Sequence, residues 1–327
     1  MSWNLSCFTE KNVIVIGDLM LDVYYNCAME RISPEAPIPI LRTDESKKTI
    51  NLGGSGNVAN NFAKLGASVK LFGIGTGDNI KSLCDKNLVS LCMYDCGIHG
   101  VNTIEKVRYR VGHNQVARID FEQCKSPYVK CIDATRSILD SVKKHMEYHC
   151  FDLIVLSDYG KGTLTAQMCE EAIRLGLDNG IPVYVDPKGT QWSKYDKATC
   201  ITPNINEFRA MTMFDDEYEN DVIKDRARSL IGDFAFESML VTMGSEGMCY
   251  VDQRQFTKQT AMAEEVFDVS GAGDTVLSVF SLSRISGLDV RTSMELANIA
   301  AKIVIGKSGT CPITYAELLR GANENIT

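Results

Sequence analysis
The sequence predicts an α/β fold, a mostly parallel central sheet with helices on both faces and a small inserted β-sheet lid. Beyond about residue 130, helical patterns alternate with short apolar runs, the rhythm of parallel strands joined by crossover helices. Polar residues cluster just after those runs, at the edge where open α/β sheets bind ligands. Residues 103–119 behave differently. Ile104, Lys106, Arg108 and Arg110 interleave with Glu105, Val107, Tyr109 and Val111, so the stretch reads as a one-sided hairpin outside the main sheet, turning at 112–114.

Taken in order, residues 13–16 form a short apolar strand ending at Gly17 and Asp18. Residues 31–40 carry Pro34, Pro37 and Pro39, which exclude helix and permit edge strands. A helix is expected over 58–65, stopped by Gly66, and a strand over 69–72. Helices follow over 132–146, 165–179 and 221–231, with strands over 153–156, 182–185, 200–202 and 239–242. A hairpin around Gly247 and helices over 273–286, 292–305 and 315–320 complete the pattern. No repeat, low-complexity tract or flexible linker interrupts it. Residues 1–327 therefore read as one domain, its lid built from segments about 22–50 and 98–122.

The net charge of −8 and the lack of a long basic block argue against a nucleic-acid partner. Twelve cysteines contain no CxxC pair and no adjoining histidine cluster, which argues against zinc. Residues 1–11 hold no apolar stretch of signal-peptide length, and no run approaches a membrane span. A cytoplasmic protein is expected, its thiols reduced and mostly buried as small hydrophobes.

Two motif-like stretches are discarded. Gly73-Ile74-Gly75-Thr76-Gly77-Asp78 resembles a dinucleotide fingerprint, but its third glycine falls one position early and Asp78 would meet the pyrophosphate. Residues 301–308 approach a P-loop, but Gly306-Lys307-Ser308 ends a helical pattern where a P-loop must open one.

The most informative segment is Asp268-Val269-Ser270-Gly271-Ala272-Gly273-Asp274. Gly271, Ala272 and Gly273 let backbone N–H groups approach an anion, and the following helix adds its partial positive charge. Asp274 stands where a carboxylate takes a proton from a hydroxyl attacking that anion. A phosphate cradle beside a base points to phosphoryl transfer to an alcohol; the bland alternative is a glycine turn capped by an acid. Upstream, Gly53-Gly54-Ser55-Gly56-Asn57 brings glycines to a helix start. Asn204 and Glu207 have the spacing that positions a hydrated magnesium ion, or that of a helix-capping pair. Thr242-Met243-Gly244-Ser245-Glu246-Gly247 is a second glycine turn at a strand end.

Together and in this order, these segments resemble the ribokinase-like (minor phosphofructokinase-type) family of carbohydrate kinases over nearly the whole chain. The resemblance implies a three-layer α/β/α sandwich with a β lid and the use of ATP and Mg2+, and it leaves a monovalent cation open. Further segments are Gly17-Asp18-Leu19-Met20-Leu21-Asp22, Arg31-Ile32-Ser33-Pro34-Glu35-Ala36-Pro37-Ile38-Pro39, residues 156–162, Asp186-Pro187-Lys188-Gly189-Thr190 and Thr202-Pro203-Asn204. These are similar to the kinase domain of the bacterial D-glycero-β-D-manno-heptose-7-phosphate kinases. That resemblance implies ATP-dependent phosphorylation of the anomeric hydroxyl to the 1,7-bisphosphate, toward ADP-heptose for lipopolysaccharide or another surface glycan. The nucleotidyltransferase domain fused to many such kinases is not expected within these residues. The chain departs from the family pattern at Ser55 and Gly56, at Ser270, and at His113, where an arginine is usual.

The resemblance also assigns roles. Asp274 is the general base, and Gly271, Ala272 and Gly273 offer N–H groups to the γ-phosphate. Asp18 and Asp22 accept sugar hydroxyls, although Asp18 reads equally well as a strand-end acid. Gly53 and Gly54 border the sugar, and Asn57 binds its hydroxyls, caps a helix, or both. Lys188 neutralises a phosphate; Lys161 does so too, or sits in an exposed ion pair. Asn204 and Glu207 act through magnesium-bound water. Thr242, Gly244 and Gly247 lie by the nucleotide, or the glycines merely turn a hairpin. One or two of Arg31, Arg108, Arg110 and Arg118 hold the distal phosphate, or the hairpin face is only solvated. Tyr24 and Tyr25 read as lid packing, and a homodimer through the lid edges is expected. A kinase for another sugar or sugar phosphate, and a catalytically silent binder on the same scaffold, remain alternatives.

Overall fold
The structure, a computed structural model, describes residues 3–95, 102–122, 132–213, 219–262 and 268–325. Residues 98–101 of the expected lid, and Cys96, lie outside the described residues. The first half of the chain runs β1 (Asn12–Gly17), β2 (Leu19–Ile32), β3 (Pro39–Arg42), β4 (Lys48–Gly54), α1 (Ser55–Lys64), β5 (Ser68–Ile74), α2 (Asp78–Lys86), β6 (Val89–Tyr94), β7 (Ile104–Val111) and β8 (Asn114–Phe121). The second half runs α3 (Ile132–Tyr148), β9 (Leu153–Ser157), α4 (Ala166–Asn179), β10 (Val183–Asp186), β11 (Cys200–Ile201), α5 (Ile205–Thr212), α6 (Asn220–Asp233), β12 (Ser238–Thr242), β13 (Met248–Asp252), β14 (Phe256–Gln259), α7 (Ala272–Ile285), α8 (Val290–Ile305) and α9 (Tyr315–Glu324).

Nine strands form the main sheet in the order β14-β13-β12-β11-β10-β9-β1-β5-β6. It is parallel except for β13 and β14, which add as antiparallel hairpins at one edge. The strict two-residue alternation of its strands divides two apolar cores. Val13, Val15, Leu153 and Val155 face one core with α1, α7 and α8, while Ile14, Ile16, Ile154 and Leu156 face the other with α3, α4 and α6. A strand buried on both faces has no polar positions, which is why these runs read as continuously apolar. The result is the three-layer α/β/α sandwich expected from the sequence.

The helix ends follow local chemistry. The Thr165 side chain accepts the Met168 N–H at the start of α4, and Gly180 ends that helix in the left-handed conformation at φ 66°. Helix α7 is buried from Asp274 to Ser283. Within it, Ser278 and Ser281 hydroxyls donate to the carbonyls of Asp274 and Leu277, each at 2.7 Å, so they cross the core with their polar groups bonded.

The second sheet has five strands, with β2 between β4 and β7 over its first half and paired to β3 beyond Cys27. Strands β7 and β8 are the expected hairpin, antiparallel around Gly112. Tyr24 and Tyr25 pack within it, the latter stacked on Tyr109 with ring centroids 5.4 Å apart. The elements not anticipated include the 14-residue length of β2, strand β4, helix α2, strand β6 and helix α5.

Candidate active site
Asp274 lies in the first turn of α7, where Gly271 is the N-cap at φ 81°. A Cβ at Gly271 would lie 2.8 Å from Asn57 Nδ2, so this turn admits only glycine. A Cβ at Gly273 would meet nothing within 4 Å, so the backbone there faces open space, as an anion cradle requires. The Asp274 side chain is nearly buried and held at both oxygens: Tyr159 donates its hydroxyl to Oδ1 at 2.6 Å, and Asn57 Nδ2 donates to Oδ2 at 2.7 Å. Burial pushes its pKa up to about 6, against the two hydrogen bonds, which favour the ionised form. A carboxylate so poised is ionised at neutral pH yet basic enough to take a proton.

Gly271, Gly273 and Asp274 line a cavity of about 200 Å³ together with Tyr159, Asp186, Lys188, Asn204, Glu207 and Thr242. The cavity is open to solvent and large enough for a phosphoryl group to meet a reacting hydroxyl. The ends of β9, β10, β11 and β12 supply one wall and the start of α7 the other, which is the carboxyl edge expected from the strand pattern.

Asn204 and Glu207 form a complete capping box on α5, and both side chains still face the cavity. Glu207 Oε1 also accepts from Lys188 Nζ at 2.8 Å, and this bond raises the lysine's pKa. Asp186 was given no role in the sequence reading. Its side chain makes no hydrogen bond among the described residues, and burial, Asp274 and Glu207 together drive its pKa well above the carboxylate range. Tyr159 was also missed. Its side chain is half-buried, its hydroxyl stays protonated far above the usual tyrosine range, and it donates to the base.

Gly53 and Gly54 end β4 and Asn57 lies in the first turn of α1, with Asp22 on the adjoining β2; these are the residues expected on the acceptor side. A Cβ at Gly53 would lie 2.7 Å from Asp22 Oδ2, so glycine there lets β2 and β4 close on each other. Asn57 Oδ1 is buried with no hydrogen-bond partner among the described residues. Asp22 is paired with Arg108 at 2.5 Å, both buried.

Four candidate groups are engaged within the fold. The Asp18 carboxylate is buried and accepts the backbone N–H groups of Tyr159, Lys161 and Thr163 at 2.9, 3.0 and 3.0 Å. Arg108 and Arg110 are spent on Asp22 and Asp268. Arg118 stands on exposed β8, 2.8 Å from Asp120 and outside the cavity lining, and Lys161 pairs with Glu122. Gly244 and Gly247 shape the turn between β12 and β13, where the Gly247 N–H donates to the Gly244 carbonyl.

Replacing Tyr159 with Phe removes one bond to the ionised base and leaves the ring. The acid limb of the pH–rate profile is expected to move up by about one pH unit. An unmoved limb would deny Tyr159 its effect on Asp274.

A nine-stranded, mostly parallel sheet with a β lid, and a glycine turn and buried carboxylate at its carboxyl edge, have the architecture of kinases of small alcohols. The family model of the pfkB family carbohydrate kinases matches residues 132–315, and the chain belongs to that family. It is 38% identical over 314 residues to the bifunctional protein HldE of Koribacter versatilis (strain Ellin345), an alignment covering 95% of this chain and 63% of that protein. The HldE protein of Alcanivorax borkumensis is 37% identical over 332 residues, covering 98% of this chain and 65% of the relative. The chain thus spans a little under two thirds of the length of these relatives. Among solved structures, phosphofructokinase-2 of Escherichia coli in complex with substrates and products has TM-score 0.77 at 17% identity, over 96% of this chain and 99% of that one. Ribokinase of Arabidopsis thaliana, complexed with ribose and ATP, has TM-score 0.71 at 19% identity, over 95% and 98%. These two likenesses concern the fold.

Proposed function
We propose that the chain transfers the γ-phosphoryl group of ATP to the anomeric hydroxyl of D-glycero-β-D-manno-heptose 7-phosphate, giving the 1,7-bisphosphate on a route to ADP-heptose and surface glycan. The observation that carries the transfer chemistry is the Asp274 carboxylate, buried beside the Gly271–Gly273 cradle and held at both oxygens. The heptose assignment rests on the 31–39 segment and on the near-full-length similarity to HldE.

The acceptor hydroxyl approaches Asp274, which takes its proton as the oxygen attacks phosphorus. The backbone N–H groups of residues 271–273 offset the charge developing on the transferred group. Asn57 Oδ1, buried and unpartnered, is suited to accept from a second sugar hydroxyl and so to orient the ring. Lys188 lies at the mouth of the cavity, where it offsets phosphate charge. Asp186, Glu207 and Asn204 line the same cavity and suit a hydrated magnesium ion, and the Asp186 side chain makes no hydrogen bond among the described residues. Bound there, directly or through water, magnesium would neutralise phosphate oxygens.

The reading includes a homodimer through the lid. Met29, Ile32, Val116, Ile119 and Phe121 are exposed apolar residues on β2 and β8, and a second copy of the same lid would cover them. A cytoplasmic location is part of the same reading. No helix among the described residues is long and apolar enough to cross a membrane.

An ADP-release assay over a panel of sugars and sugar phosphates, with and without potassium, tests the function. Turnover is expected to be highest with heptose 7-phosphate. Robust turnover of another sugar with little of this one would move the assignment within the family, and nucleotide binding without any transfer would favour a silent binder.

A further inference from the structure
We infer that Lys106 is the cation that receives the distal phosphate of the acceptor, a role that rests on the sugar-phosphate reading above. Strand β7 carries Ile104, Lys106, Arg108 and Arg110 at alternate positions, on one face. The two arginines are buried and committed to Asp22 and Asp268. Lys106 is partly buried and forms no ion pair among the described residues. The strand register sets it opposite Asp22 on β2 and Asp120 on β8, but those carboxylates are held by Arg108 and Arg118.

The Lys106 ammonium instead sits over the Tyr159 ring, 5.2 Å from its centroid. The hydroxyl of that same ring holds Asp274. One aromatic side chain therefore separates a cation from the base. A sugar that reacts at its anomeric hydroxyl and carries a phosphate at its far end has this layout. Burial lowers the lysine's pKa; Asp22 and Asp120 oppose that, while Arg108 and Lys161 add to it. An under-compensated ammonium in such a place is stabilised by an arriving dianion.

A second cavity does not compete for the phosphate. It measures about 470 Å³ and its lining includes Asp78, Glu105 and Glu122 without a basic residue among the described residues, so it repels an anion. Its asparagines and threonines suit hydroxyl groups better.

The test uses the full chain with Lys106→Met and Lys106→Arg, and both variants are expected to melt close to the parent. Lys106→Met is expected to raise KM for the sugar phosphate about 30-fold, as losing a charge-assisted hydrogen bond does, with KM for ATP within about twofold. Inorganic phosphate, as a competitor of the sugar phosphate, should weaken about tenfold or more on the same grounds. Lys106→Arg should restore most of the affinity, since it keeps the charge. An unchanged KM for the sugar phosphate, or a loss confined to kcat, overturns the role. If the parent enzyme prefers another sugar phosphate, the heptose assignment fails while Lys106 is tested on that substrate. If it phosphorylates only sugars that carry no phosphate, the Lys106 role falls directly.

Discussion
Asp274→Asn is expected to lower kcat by about a thousandfold, the usual worth of a positioned general base, with KM for ATP nearly unchanged. The asparagine has the same shape and cannot take a proton. Tyr159 still has an oxygen to donate to, and Asn57 can turn its unpartnered Oδ1 toward the new amide, so the site should keep its form. The pH profile gives an independent reading. With the carboxyl pushed up to about 6, parent activity should fall as pH drops through that value, because the protonated acid can no longer accept the sugar's proton. The residual activity of the variant should lack this limb. Turnover near the parent level, or an acid limb that survives the substitution, would place the base elsewhere.

The parallel half of the fold was legible because its strands are buried on both faces and because caps such as Thr165 and Gly180 on α4 mark helix ends, signals contained within a few residues. Helix α2 was hidden behind the glycine-rich decoy at 73–78. The outer half of β2 was hidden because residues 27–32 lie mostly exposed at a lid edge, with no apolar run to mark them. The cradle, Asp274, Lys188, Asn204, Glu207 and Thr242 meet in one cavity because each follows a strand or opens a helix at the sheet's carboxyl edge, which sequence order exposes. Tyr159, Asp186 and Lys106 carry no such mark. The hydroxyl of Tyr159 matters because it reaches a residue 115 positions away. Asp186 stands out through the absence of a partner, and Lys106 because its two arginine neighbours are already engaged. Those are properties of packing between distant segments.

The case of Asp18 shows the same limit and yields a prediction that separates two roles. From sequence, an acid just past the first strand reads as a sugar ligand or, equally well, as a strand-end acid. In the fold its two oxygens collect three backbone N–H groups from residues 159, 161 and 163, more than 140 positions along the chain. Burial first, then the nearby Asp158, raise its pKa, while those three N–H bonds favour the ionised form. Asp18→Ala strands three donors in a buried place. The expected loss is about 4 kcal/mol, because each unsatisfied buried group is worth 1–3 kcal/mol and the loop relaxes in part. The melting temperature should drop by roughly 8 °C or more for a domain of this size. The loop so released carries Tyr159, so kcat should fall about tenfold further than the fraction of folded protein accounts for. Asp18→Asn keeps one acceptor but turns an amide N–H toward the other donors, and should lie between. A sugar ligand would behave in the opposite way: KM for the acceptor would rise while the melting temperature held. That result would return Asp18 to the acceptor site and detach it from the loop that positions the base.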